Sequence, residues 1–245
     1  MAIQKTEGII LRRQEIRETS LILTAFTRDL GKIQGVAKGV RGLRASACWY
    51  LEPLTLQAMV LYERRRSPWA LISSCDLIDA FDPIRRDLTR LSYATLCLDL
   101  VDAMTANSDP HPEIFQLLLA TLRALEQGAD SRSAARFFEA HLMKASGLLP
   151  EPTSMTLSAG GRLSLQQILG TSSEQITRLR LSQAVEEELR RMLHGLFCNV
   201  ITHELKSRTF LSTIGLENSF PSDFPQITPR DGVGRVSIPA SRASN

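Results

Sequence analysis

Apolar and polar positions alternate along the first part of the chain and then give way to a longer period. Gln4–Arg13 and Thr19–Phe26 are apolar-rich runs with β-branched residues, and Asp29-Leu30-Gly31 marks a turn before Lys32–Gly39. Leu54–Glu63 and Trp69–Ile78 form two further runs, joined by Arg64-Arg65-Arg66-Ser67-Pro68. Five short strands in succession predict a small barrel, because closure removes the edges that five strands would otherwise expose.

From Asp82 the spacing becomes helical. Asp82-Pro83 supplies an N-cap and a proline at the first helical position, and Ile84, Leu88, Leu91, Leu98, Val101 and Met104 fall on one face. A second helix is predicted after Asp109-Pro110, running to Gln127 with Ile114, Leu117, Leu118, Leu122 and Leu125 inward. A third starts near Ser131, buries Phe137, Phe138 and Leu142, and stops at Gly147 ahead of Pro150. Residues 150–170, with Pro150, Pro152, Gly160 and Gly161, read as an irregular excursion. The longest helix is predicted from Ser182 to Leu205, with Val185, Leu189, Met192, Leu196 and Val200 on its apolar side. Glu186, Glu187 and Glu188 in its first turns, and Lys206 and Arg208 beyond its end, complement the helix macrodipole. Glu217–Asn245 carries four prolines and few large apolar groups, too little burial to offset ordering entropy. The expectation is an α+β chain: a five-stranded barrel over 1–80, an all-α domain over 81–216, and a disordered tail over 217–245.

Composition narrows the class. At 43% hydrophobic residues the chain sustains a core. It has no apolar run near the roughly 18 to 20 residues of a membrane span. Its start, Met-Ala-Ile-Gln-Lys, lacks the apolar segment of a secretory signal, so a cytoplasmic protein is expected. Cys48, Cys75, Cys97 and Cys198 form no CxxC pair and have no histidine at ligand spacing, which argues against a zinc site or a disulfide framework. Charge is uneven: residues 1–66 hold 12 Lys and Arg against 6 Asp and Glu, whereas 81–245 hold 17 against 18. A positive front half steers a polyanion to one end.

Gly31–Arg44 is the most informative stretch. Lys32, Lys38, Arg41 and Arg44 have no acidic residue among them, and strand alternation puts Lys32, Gln34 and Lys38 on one side. Gly39 and Gly42 permit a close backbone approach. Two readings stand open: a phosphate-tracking row of cations, or a solvated outer strand with a polar loop. Arg64, Arg65 and Arg66 on the last hairpin carry the same ambiguity. Trp49, Tyr50, Tyr62 and Trp69 offer faces for base stacking or plugs for a small core. Catalysis finds no support: there is no Walker A order, no GxSxG elbow, no distinct carboxylate pair, and His111, His141, His194 and His203 make no acid–base or metal set.

The order of features resembles the RecO family of bacterial DNA repair proteins. The resemblance rests on TEGIILRR (Thr6–Arg13), TSLILTAFTRDLGKIQGVAKGVRG (Thr19–Gly42), LEPLTLQ (Leu51–Gln57) and LKSRTFL (Leu205–Leu211), and covers residues 1–216. It implies an N-terminal oligonucleotide-binding (OB) barrel and a C-terminal helical domain. It also implies binding of single- and double-stranded DNA, annealing of complementary strands, and help in loading recombinase on strands coated by single-strand-binding protein. No cofactor is implied. The implied partners are RecR and the acidic, apolar C-terminal tail of single-strand-binding protein, and the implied location is the nucleoid. Several relatives carry a four-cysteine zinc element after the third helix, but Gly147–Leu169 here has no cysteine, so none is expected. Lys32, Lys38, Arg41, Arg44, Arg64, Arg65 and Arg66 are the DNA-binding candidates. Arg123, Arg132, Arg136, Lys206 and Arg208 are candidates for a cationic rim around an apolar groove that accepts the tail. The rival reading is a non-enzymatic interaction scaffold with only weak, non-specific affinity for DNA.

Overall fold

Ile9-Ile10-Leu11 is an uninterrupted apolar run inside an alternating strand, and the fold uses both of its faces. The computed structural model describes residues 3–16, 20–38, 51–62, 69–151 and 155–218. Its strands are β1 (Ile3–Ile16), β2 (Ser20–Thr27), β3 (Gly31–Ala37), β4 (Leu56–Tyr62) and β5 (Ala70–Asp79). They close in the order β1-β2-β3-β5-β4, with β4 returning to β1. All pairs are antiparallel except β3 with β5. This is the OB barrel that the resemblance implies.

Ile10 points inward with Leu21, Leu23, Ala37, Met59, Leu61 and Ile72 to fill the barrel. Ile9 and Leu11 point outward with Phe26, Leu54 and Leu56 into a second core shared with the helices. The β1–β2 register shifts between Ile10 and Arg12, so that Leu11 is an extra residue in the ladder. Phe26 meets Phe115 with ring centroids 6.4 Å apart, and the Arg28 guanidinium lies 5.6 Å from the same ring. Barrel and helices therefore share one continuous apolar contact.

The helices are α1 (Asp82–Arg85), α2 (Leu88–Met104), α3 (Pro112–Glu126), α4 (Ser131–Ala145), α5 (Ala159–Gly170), α6 (Gln183–Cys198) and α7 (Lys206–Thr213). A 3-10 turn, Ser173–Arg178, precedes α6. The first expected helix is two. Phe81, with φ of 49°, occupies the cap of α1, and the Asp79 carboxylate accepts its N–H. Asp87 then caps α2 by accepting from the Arg90 N–H at 3.1 Å. Asp82 begins the short helix rather than capping the long one.

Three further expectations are corrected. Residues 159–170 are helical: the Ser158 hydroxyl caps α5 at the Gly161 N–H, and Glu188 accepts from both the Ser158 N–H and hydroxyl. A Cβ on Gly161 would lie 2.5 Å from a Glu188 oxygen, so this glycine permits contact with α6 rather than breaking a helix. The long helix stops at Cys198, and Lys206 and Arg208 belong to α7 instead of trailing α6. Finally, Glu217 is buried among the helices and accepts from Arg136 at 2.9 Å, so the folded part extends past residue 216. The remainder of the expected tail, 219–245, lies outside the described residues.

Candidate nucleic-acid interface

Ladder register resolves the outer face of the barrel into rows. Gln14 opposes Ile22, Ile22 opposes Val36, Val36 opposes Leu71, Leu71 opposes Tyr62, and Tyr62 opposes Ile3. Directly opposed residues share a face, so these six form one outward ring around the barrel. Ile22, Val36, Leu71 and Tyr62 are half-buried, and Ile3 is exposed. The neighbouring row holds Arg12, Thr24 and Gln34. Beyond the apolar ring on its other side come Ser20 and the exposed Lys38. An apolar band lying between cations at both margins suits unstacked bases flanked by phosphates.

Lys32 does not belong to that surface. Alternation does place it on the same side as Gln34, Val36 and Lys38, but α2 covers that end of the face. The Lys32 ammonium is nearly buried and donates to the Asp102 carboxylate at 3.1 Å and the Asp102 carbonyl at 2.5 Å. The Ser108 N–H donates to the Lys32 carbonyl at 2.8 Å. Gly31, at φ of 68°, packs so tightly that a Cβ there would lie 2.1 Å from the Asp109 carbonyl oxygen. The glycine-lysine pair fastens the barrel to the helices. Arg12 stands at the edge of this junction, its Nε 2.5 Å from Asp102 with the side chain 57% exposed. Nothing in the sequence singles out Arg12 from Arg13, which pairs with Glu15 and Glu52.

Arg41, Arg44, Arg64, Arg65, Arg66, Trp49 and Tyr50 lie outside the described residues. Among the strand ends that these connections join, the end of β3 and the start of β5 lie side by side. Lys38 directly follows β3, and Ala70, the first residue of β5, opposes Gly35 in the middle of β3. Trp69, 36% exposed, precedes Ala70, and Tyr62 ends β4.

The cationic rim expected on the helical domain divides. Arg123 and Lys206 are exposed, and Arg132 is half-buried with Nη2 donating to the Leu216 carbonyl at 3.2 Å. Arg136 is fully buried, with Nε 2.9 Å from Glu139, Nη1 3.6 Å from Glu186 and Nη2 2.9 Å from Glu217. Arg208 is buried, donates to Glu139 at 2.5 Å and lies over the Phe197 ring. These two arginines are structural counterions and do not rim a groove. Burial raises the Glu186 carboxyl above its ordinary range, against the pull of Arg136. Hydrogen bonding from Arg190 lowers the Glu187 carboxyl. The buried members Glu139, Arg190 and Glu217 gave no sequence signal, since nothing local distinguishes them from surface charges.

An apolar groove does exist elsewhere on the helical domain. A cavity of about 610 Å³ is lined by Pro150, Met155, Thr156, Met192 and Leu196, with Glu188 and Arg191 alongside. Arg191 is 66% exposed and is its cation. Among the described residues no group of three or more His, Cys, Asp and Glu could hold a metal ion. Cys198 lies 3.4 Å from His194 Nε2, but burial raises the thiol and lowers the imidazole, so neither is charged at neutral pH. No described helix is long and apolar enough to cross a membrane.

Comparison with known proteins adds independent findings. Residues 1–81 match the family model described as recombination protein O N terminal, and residues 85–154 match recombination protein O C terminal. The chain is 34% identical over 149 residues to a DNA repair protein RecO of Syntrophus aciditrophicus, covering 61% of this chain and 58% of that one. It is 35% identical over 150 residues to the RecO of Syntrophobacter fumaroxidans, covering 61% and 59%. These alignments span under two thirds of either relative. A RecO of Moorella thermoacetica aligns over 249 positions at 25% identity, covering 87% of this chain and 92% of that one.

Proposed function

The chain belongs to the recombination protein O family, and from that premise we propose that it is a DNA repair and recombination mediator. It binds single- and double-stranded DNA, anneals complementary strands and helps recombinase load on strands coated by single-strand-binding protein. It does so without making or breaking bonds. The observation that carries this reading is the outward apolar ring of Ile22, Val36, Leu71 and Tyr62, set between Arg12 and Lys38. Bases released from a stack rest on the ring, and phosphates at its margins meet cations, which cancels repulsion between two strands being paired.

The DNA-binding set that this reading carries forward is Lys38, Arg41, Arg44, Arg64, Arg65 and Arg66, with Arg12 added. Lys32 leaves it, because its ammonium is nearly buried against Asp102, whereas Arg12, which shares that carboxylate, stays largely exposed. RecR and the tail of single-strand-binding protein are the proposed partners. For the tail, the groove of Met155, Met192 and Leu196 with Arg191 at its edge replaces the rim inferred from sequence. A short acidic peptide ending in Phe puts its ring into that groove and its carboxylates toward Arg191.

The deciding experiment is annealing of two complementary oligonucleotides across a salt series, with and without single-strand-binding protein and with no metal or nucleotide added. Acceleration that fades with salt is the expected result. No acceleration, together with saturable binding of the acidic peptide, would replace the mediator reading with that of an interaction scaffold.

A further inference from the structure

One edge of α2 carries two carboxylates that hold different parts of the chain. Asp102 accepts from Arg12 and Lys32 of the barrel. Asp99 accepts the backbone N–H of Ser207, in the first turn of α7, at 3.2 Å. Residues three apart on a helix lie on one side, about 4.5 Å apart along the axis. The carboxylate that holds the start of α7 and the one that holds Arg12 are therefore about one helical turn apart on α2.

The eight residues of α7 are arranged unusually. Ser207, Arg208 and Leu211 are buried, whereas Lys206, Thr209, Phe210 and Thr213 are exposed. The helix places an arginine inward and leaves a phenylalanine 45% exposed. Lys206 and Phe210, four residues apart, share the outer face. Glu204 sits nearby, with its carboxylate accepting the Thr209 hydroxyl at 2.5 Å. The apolar cores explain Arg208 through Glu139 and Phe197, but they give no account of Phe210.

We propose that α7 is a second single-stranded DNA contact, continuous with the barrel face. A strand leaving the outer ring past Arg12 crosses the Asp102–Asp99 edge of α2, sets a phosphate against Lys206 and stacks a base on Phe210. This rests on the reading of the barrel as the primary DNA surface. An acidic, apolar peptide would also suit a lysine beside a phenylalanine. Continuity past Arg12 with the outward apolar ring favours the nucleic acid, because successive bases use that ring as well as Phe210.

The test uses the full chain and oligothymidylates of two lengths, one of about 8 nucleotides to fill the barrel alone and one of about 20 to reach beyond it. The wild-type protein is expected to bind the longer strand more tightly. The double variant Lys206→Gln, Phe210→Ser is expected to bind the short strand as before and the long strand about tenfold more weakly, with its thermal unfolding unchanged. Equal long-strand affinity in variant and wild type would overturn the proposal. Loss of acidic-peptide binding in that variant, with oligonucleotide binding intact, would overturn it in favour of a peptide surface. Absence of binding to either oligonucleotide by the wild type would overturn the barrel reading itself and this extension with it.

Discussion

Lys32 on β3 and Asp102 on α2 form a nearly buried ion pair, with Nζ 3.1 Å from Oδ1, and the pair joins the barrel to the helices. Asp102 lies in the last turn of α2, where the helix dipole disfavours a negative charge, so the two barrel cations also stabilise that helix end. Removing one partner leaves the other buried without a counterion. Asp102→Ala is expected to lower unfolding stability by about 3 kcal/mol. Lys32→Met with Asp102→Leu is expected to recover most of that loss, since neither charge then remains buried. Urea unfolding of the two variants beside the wild type checks both statements, and an unaltered midpoint in Asp102→Ala would dismiss the pair as a structural joint.

Gly31 and Gly147 have nearly the same backbone angle, φ of 68° and 69°, and differ only in their surroundings. A methyl group at Gly147 meets nothing within 4 Å, so Gly147→Ala is expected to cost only left-handed strain, about 1 kcal/mol. At Gly31 the same methyl collides with the Asp109 backbone, and Gly31→Ala is expected to cost clearly more. Thermal unfolding of both variants, side by side, separates conformational strain from loss of the joint. Equal costs would show that the tight approach to Asp109 contributes nothing.

His194 supplies a pH dependence with a definite sign. Burial, with Arg208, Arg190 and Arg136 nearby, lowers its imidazole from 6.5 to about 3. Between those values the unfolded chain takes up a proton that the folded chain refuses, so stability falls as pH is lowered through 6.5. From pH 7 to pH 5 this group alone is expected to remove about 1 kcal/mol, because solvent screening at a half-buried imidazole weakens the full effect. His194→Gln is expected to flatten that part of the stability profile relative to wild type. Glu186, whose carboxyl is raised, acts in the opposite direction from its ordinary range upward and is common to both proteins. Parallel profiles in the two proteins would exclude His194 as the source.

Glu217 marks where folded structure continues beyond the boundary that proline content suggests. It is the acceptor for Arg136 Nη2 at 2.9 Å, and its second oxygen lies 3.9 Å from Arg190. A chain ending at Leu216 leaves a fully buried guanidinium short of one counterion, whereas a chain ending at Asn218 retains it. The shorter chain is expected to be less stable than the longer by about 3 kcal/mol in urea. Matching midpoints would mean that Glu139 and Glu186 suffice.

Alternation and turn residues located the five strands and their closure into a small barrel, because every strand has one face fixed by an apolar interior, while the OB architecture came from the family resemblance. They carried the register of β3 as well: Lys32, Gln34 and Lys38 do share a side. What period-2 reasoning could not reach is that α2 divides this side, so that Lys32 is enclosed while Lys38 is exposed. That division depends on Asp102, 70 residues away in sequence. The same limit hid the distant partners: Glu186 and Glu217 for Arg136, and Glu139 for Arg208, whereas the Arg136–Glu139 pair is a neighbour contact within α4. Gly160-Gly161 misled in the other direction. A glycine that lies in close contact with Glu188 looks identical, in sequence, to one that ends a helix.

Charge and apolar contact leave different signatures in salt, which permits the two halves of the proposed DNA surface to be tested separately. Each phosphate neutralised contributes about 0.7 to the slope of log affinity against log salt for single strands. Lys38→Ala is expected to reduce that slope by roughly this amount. Tyr62→Ser, in the outward ring, is expected to weaken binding by about 1–3 kcal/mol at every salt concentration and leave the slope unchanged. Lys32→Met is expected to lower stability through Asp102 while altering neither slope nor affinity under conditions where the protein remains folded. Fluorescence anisotropy with a labelled single strand between low and moderate salt reads all three. A slope change in Lys32→Met equal to that in Lys38→Ala would return Lys32 to the DNA surface and break the division of β3 at Gln34. A slope change in Tyr62→Ser would mean that the ring orders nearby cations instead of receiving bases.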